Sequence, residues 1–134
     1  MGRQFTGTDR IACGTGVLSQ LTPFVVTGWF NQRSALGGGL LLKKSDTSGF
    51  GKRFSENGNN DLRFRVYKGG GSTNAETTTV SNVLTAGGTP GGWQFVVASY
   101  DNASPGPKIF LAQPGGGVAE CSYASQTNGS GSED

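Results

Sequence analysis

Apolar residues in this chain fall in short clusters set apart by glycine-rich turns. The longest cluster, residues 92–101 (GWQFVVASYD), is the one around which the others are arranged. In an extended strand Trp93, Phe95 and Val97 share one face, and Val96, Ala98 and Tyr100 share the other. Both faces are mainly apolar, which predicts a strand covered on both sides. Gly91 and Gly92 open the run after the turn signal Thr89-Pro90. Asp101-Asn102 closes it, and Ser104-Pro105-Gly106-Pro107 rules out a helix beyond. Residues 108–112 follow as an antiparallel partner across a short loop.

The same reading extends along the chain. Residues 3–6 and 10–13 are short strands around a Gly7-Thr8-Asp9 turn, and 14–23 is a loop pinned by Val17, Leu18 and Leu21. Residues 24–31 (FVVTGWFN) form the second long strand, where Gly28 predicts a bulge or a close neighbour. Residues 40–44 are a strand, and 52–55 a short one. The sequence ENGNN at 56–60 is a hairpin signal, because Asn-Gly supplies the positive φ of a tight turn. The alternation is clearest over 61–67: Leu62, Phe64 and Val66 point to the core, and Arg63, Arg65 and Tyr67 point outward. Residues 68–74 read as a flexible glycine loop, 77–80 as β-prone, and 118–123 as a last weak strand. Residues 129–134 (GSGSED) form a polar, flexible tail after a single domain spanning 1–128.

Composition supports this pattern. The chain has 134 residues, enough for one domain with a core of its own. Its 24 glycines far exceed the roughly 9 expected at average usage, which suits many strands joined by tight turns. The fold class is therefore all-β, with about nine or ten mostly antiparallel strands in a two-sheet sandwich. A net charge of +2 does not suggest nucleic-acid binding, and neither a membrane-spanning run nor an apolar signal-peptide core is present. Cys13 and Cys121 read as two separate half-buried thiols. A disulfide between them would close a loop of roughly a hundred residues and add about 4 kcal/mol.

The chemistry on offer is sparse. The sequence contains no histidine, the commonest general base and metal ligand. Glu56, Glu76 and Glu120 stand alone, each without a second carboxylate two or four residues away, so the paired carboxylates of a glycosidase are missing and no enzyme is expected. Asp46, Asp61 and Asp101 lie in or beside loops where calcium is conceivable. Their turn-forming role accounts for them, and no cofactor is expected. The candidate binding residues are Arg63, Arg65 and Tyr67. Arg offers a bidentate fork and Tyr a flat stacking surface, suited to an acidic glycan or to a neighbouring subunit's carboxylates. An ordinary solvated face is the plainer account of the same stripe. Lys43-Lys44 and Lys52-Arg53 are further positive residues whose position relative to it the sequence does not give.

The order of motifs resembles the laminin G-like members of the concanavalin A-like jelly-roll superfamily. It is carried by Phe5-Thr6-Gly7 with Ile11, by 24–30 with Trp29, by 41–43 and 62–66, and by Trp93-Gln94-Phe95-Val96-Val97 leading to Tyr100-Asp101 and then Ile109-Phe110-Leu111. The resemblance implies an antiparallel jelly-roll sandwich and further strands after Tyr123. Either the chain is a piece of a longer one, or it is a shorter jelly roll, or another chain completes its sheets. A start at Met without a signal peptide resembles such domains in tailed-phage virion proteins. The expected role is a non-catalytic decoration-type module on a virion surface, made in the cytoplasm and partnered by other subunits as a homo-oligomer or capsid assembly. The alternative is a carbohydrate-binding or adhesion module that recognises cell-surface glycans.

Overall fold

Strand alternation decides which side chains meet. In the computed structural model, which describes residues 23–31, 40–43, 51–56, 59–69, 73–84, 92–112 and 115–132, Leu62, Phe64 and Val66 alternate into the interior at 0% exposure. Among the described residues nine strands form: β1 (Phe24–Asn31), β2 (Leu40–Lys43), β3 (Lys52–Glu56), β4 (Leu62–Lys68), β5 (Thr73–Thr79), β6 (Trp93–Tyr100), β7 (Lys108–Ala112), β8 (Ala119–Glu120) and β9 (Tyr123–Thr127). They make two antiparallel sheets, ordered β1-β6-β7-β8 and β2-β3-β4-β5-β9. The architecture is an all-β, two-sheet one consistent with a sandwich. The chain runs from the four-stranded sheet to the five-stranded one, back for β6–β8, and across again to β9.

Aromatic rings join the sheets. Phe64 on β4 meets Phe24 on β1 edge-to-face at 5.7 Å and meets Phe54 on β3 at the same distance. Phe24 also packs on Tyr100 of β6 at 6.1 Å. Val96, Ala98, Ile109, Ala75 and Leu84 complete the buried cluster. The predicted pairing of the long run with residues 108–112 is present, in register from Phe95↔Ala112 to Ser99↔Lys108.

The sequence reading needs four corrections. First, the two faces of β6 are unequally covered: Gln94, Val96, Ala98 and Tyr100 are buried, while on the other face Phe95, Val97 and Ser99 are half-buried and Trp93 is 43% exposed. Second, Gly28 marks neither a bulge nor a close approach. β1 pairs with β6 without a register shift from Phe24↔Tyr100 to Asn31↔Trp93, and a Cβ on Gly28 would meet nothing within 4 Å. Gly28→Ala is therefore expected to leave stability unchanged or raise it by about 0.5 kcal/mol, since it removes backbone freedom from the unfolded chain. A fall of several degrees in melting temperature would contradict this. Third, the supposed glycine loop at 68–74 is shorter, because Lys68 ends β4 and Thr73-Asn74 begin β5. Fourth, residues 118–123 are not one strand. β8 pairs with β7, and the chain then changes sheet at Cys121-Ser122, where Cys121 N–H donates to Ile109 O at 2.9 Å and Val80 N–H donates to Ser122 O at 3.1 Å. β9 beyond it pairs with β5.

A polar knot ties one end of the sandwich. Lys68 is 2% exposed, and its ammonium donates to Asn102 Oδ1 at 2.7 Å and to Asn128 Oδ1 at 3.4 Å. The single Tyr100 O–H donates to Asn102 Oδ1 at 2.8 Å, with Asn128 Oδ1 at 3.2 Å as its alternative acceptor, and Asn128 Nδ2 donates to Asn102 O at 3.0 Å. These bonds satisfy a buried charge that would otherwise cost several kcal/mol. Residues 129–132, expected as the start of a flexible tail, run against the β4–β5 turn: Gly69 N–H donates to Ser132 O at 2.9 Å, and Thr73 Oγ1 donates to Ser130 O. The strands proposed at 3–6 and 10–13, the loop at 14–22, Lys44 and Asp46 lie outside the described residues.

Candidate binding faces

The outer face of the five-stranded sheet carries the predicted site. Arg63, Arg65 and Tyr67 lie there together, all half-buried, because they alternate with Leu62, Phe64 and Val66. The sequence reading missed the residue that joins them. Glu76 on β5 stands opposite Arg65 in register. The Arg65 guanidinium donates to Glu76 Oε2, and Arg63 Nε lies 3.6 Å from Glu76 Oε1. Arg65 Nη1 also donates to the Tyr67 hydroxyl at 3.3 Å, with the guanidinium over the Tyr67 ring at 5.6 Å. Burial works against the Arg65 charge. Its bonds to Glu76 and Tyr67 and the pull of the Glu76 carboxylate outweigh that, and its pKa lies above the ordinary arginine value. Glu76, which stands alone as a carboxylate in the sequence, is thus a counter-ion to two arginines of the neighbouring strand.

Register also sorts the other positive residues. Lys43, Arg53, Arg65, Glu76 and Thr127 are successive partners across β2, β3, β4, β5 and β9. Arg53 is exposed. Lys52 does not belong to this surface: it is 1% exposed, with its ammonium 4.7 Å above the Phe24 ring.

The outer face of the four-stranded sheet differs in kind. Val25 and Trp29 on β1 are each 62% exposed, and Trp93 on β6 follows at 43%. Register joins them into one surface through Thr27↔Val97, Trp29↔Phe95 and Asn31↔Trp93, with Phe110 beside Val97 on β7. Trp29 and Phe95 pack ring on ring at 5.3 Å. These side chains place on the order of 300 Å² of apolar surface in water, the range at which a patch on a monomer is often functional.

Other chemistry is limited. Asp101 Oδ1 accepts the Ala103 N–H at 3.0 Å and Asp61 Oδ1 accepts the Asn59 N–H at 3.3 Å, both turn bonds. No three potential metal ligands gather among the described residues. A recess of about 160 Å³ is lined by Pro23, Phe24, Tyr100, Asp101 and Lys108 among others. That is below the usual few hundred Å³ of a small-molecule pocket.

Cys121 is a free, half-buried thiol, and Cys13 lies outside the described residues. Burial, with help from the Glu120 carboxylate, pushes the Cys121 thiol up to about 11. Burial also raises Tyr123, whose hydroxyl accepts the Ile109 N–H and donates to Glu120 Oε1 at 2.9 Å; the Ile109 bond works against the rise and Glu120 adds to it. A raised pKa favours the neutral thiol in the folded state. Between about pH 9 and pH 11 the unfolded chain then holds fewer protons than the folded one, and stability falls as pH rises. Urea midpoints should hold steady up to about pH 9 and decline above it, with a shallower decline in Cys121→Ala. Equal slopes for both proteins would rule out the thiol as a cause.

Comparison with known protein families, with curated proteins and with solved structures gave no match.

Proposed function

We propose that this chain is a non-catalytic assembly module that docks on further copies of itself through the outer face of its four-stranded sheet. The observation that carries the reading is the continuous apolar surface of Val25, Trp29, Phe95, Val97 and Trp93. Tryptophan is the residue type most enriched at binding hot spots, and burying large aromatic rings is where most association energy arises. Thr27, Asn31 and Ser99 stand beside the rings in register on the same face, and a broad protein contact suits it better than a groove for a sugar. Two meanders joined by crossings between the sheets agree with a jelly-roll sandwich of the laminin G-like, concanavalin A-like kind. With that resemblance, the module belongs on the surface of a virion-type particle as a decoration or capsid-associated subunit.

Light scattering over a concentration series tests the docking. The wild-type chain is expected to give the mass of a multimer, and Trp29→Gln with Trp93→Gln the mass of a monomer. Both positions are solvent-facing, so the double variant should keep its fold. A wild-type monomer up to about 1 mM, where a contact of only about 4 kcal/mol would already populate the complex, would refute self-docking.

A further inference from the structure

We infer that Asn128 is a site of spontaneous deamidation, through which the fold gives the buried Lys68 a carboxylate partner. Lys68 is 2% exposed, and its ammonium is met by neutral groups: Asn102 Oδ1 at 2.7 Å, Asn128 Oδ1 at 3.4 Å and the Tyr100 ring at 5.7 Å. No carboxylate pairs with it among the described residues. A bond from an ammonium to a carboxylate is stronger than one to a neutral oxygen. The residue after Asn128 is glycine because the path of the chain demands it. Gly129 sits at φ +57, and a Cβ there would run into the Asn74 carbonyl group. The fold therefore sets an unhindered backbone nitrogen next to the Asn128 side-chain amide.

In the reaction that nitrogen attacks Asn128 Cγ. The new N–Cγ bond forms, the Cγ–Nδ2 bond breaks, and Nδ2 leaves as ammonia with the proton of the Gly129 N–H. Water then opens the cyclic imide. Addition at Cγ leaves aspartate, and addition at the main-chain carbonyl leaves isoaspartate. Negative charge develops on Oδ1 whenever Cγ is attacked. The Lys68 ammonium donates to that oxygen, and the Tyr100 hydroxyl stands 3.2 Å from it, so donors are already aimed where the charge appears. They direct both steps to Cγ and hence to aspartate. Isoaspartate would also lengthen the main chain where Gly129 lies against Asn74. Asn128 is half-buried, so the carboxylate keeps part of its hydration. It gives up the bond from Nδ2 to Asn102 O and gains a charge-assisted one from Lys68. Asn102 touches the same ammonium but is followed by Ala103, whose N–H already donates to Asp101 Oδ1 at 3.0 Å. The Gly129 N–H makes only a 3.4 Å bond, to Thr127 Oγ1. None of these residues belongs to the proposed docking surface, so the two proposals stand or fall separately.

The test is peptide mapping by mass spectrometry of the whole chain after ageing in mildly alkaline buffer, with and without urea. Asn57-Gly58, the same dipeptide elsewhere in the chain, is the internal reference. Asn128 should gain about 1 Da, the exchange of an amide for an acid, and Asn102 should not. Aspartate should exceed isoaspartate at position 128 in the folded chain and fall below it in urea. Lys68→Met keeps the apolar stem without the charge, and Tyr100→Phe keeps the ring without the hydroxyl. Each should slow conversion of Asn128 severalfold and leave Asn57 unchanged. Asn128→Asp, made directly, should melt a few degrees above wild type. Four results would overturn the inference: Asn128 intact after Asn57 has converted, wild-type rates in Lys68→Met or Tyr100→Phe, isoaspartate as the main product in the folded chain, or a lower melting temperature for Asn128→Asp.

Discussion

Phe64→Ala is expected to cost about 3–5 kcal/mol of stability, the range for truncating a fully buried aromatic ring. The reason is position as much as size. Phe64 is 0% exposed, and its ring is the shared partner of Phe24 in one sheet and Phe54 in the other. Its loss leaves a cavity between two pleated surfaces that cannot close without shifting whole strands. The control is Val118→Ala, at a position 55% exposed, which should stay within about 0.5 kcal/mol of wild type. Urea denaturation of both variants decides the matter. A Phe64→Ala loss below about 1 kcal/mol would mean that the two sheets do not depend on this ring for their packing.

Gly106→Ala is expected to cost about 2–4 kcal/mol, from backbone strain and overpacking together. Gly106 sits at φ +138, and a Cβ there would come 2.5 Å from the carbonyl oxygen of Thr127. That neighbour is backbone of β9 and cannot rotate away. Either the loop between β6 and β7 lifts off β9 or β9 moves. Lifting would also disturb Thr77 Oγ1 and Gln126 Nε2, which both donate to Pro107 O. Gly117→Ala provides the comparison: its backbone is unstrained, nothing lies within 4 Å of the added carbon, and little change is expected. Equal thermal stability in the two variants would show that the loop is not held against β9.

Strand periodicity made much of the fold legible before any coordinates. The alternation over Leu62–Tyr67 places three core residues and three outward residues correctly, because aliphatic or phenyl side chains alternate there with arginine and tyrosine. β6 was harder. Trp93, Phe95 and Val97 look like core residues by type, yet they form an outer face, and apolar character alone does not separate a buried face from a docking face. Lys52 carried a usable signal: it shares strand parity with Phe54, which pointed it inward.

The candidate site divides in the same way. Arg63, Arg65 and Tyr67 share a strand, so their common face follows from spacing. Glu76 and Arg53 join them only through register, and a slip of one residue would send every side chain to the opposite face. Register depends on loop lengths and core packing over the whole sheet, which no local stretch encodes. The split of β8 from β9 was hidden for a related reason: Tyr123–Thr127 is largely polar and takes its strand state from pairing with β5.

The most direct measurement is tryptophan emission during dilution, recorded alongside mass. The chain has two tryptophans, Trp29 and Trp93, and both lie on the outer face of the four-stranded sheet. Their fluorescence therefore reports on the proposed docking face. The account predicts blue-shifted, quencher-protected emission at high concentration that moves to the red on dilution, in step with the fall to monomer mass. Emission that stays water-exposed while the mass still changes would show that the chain assembles through some other surface.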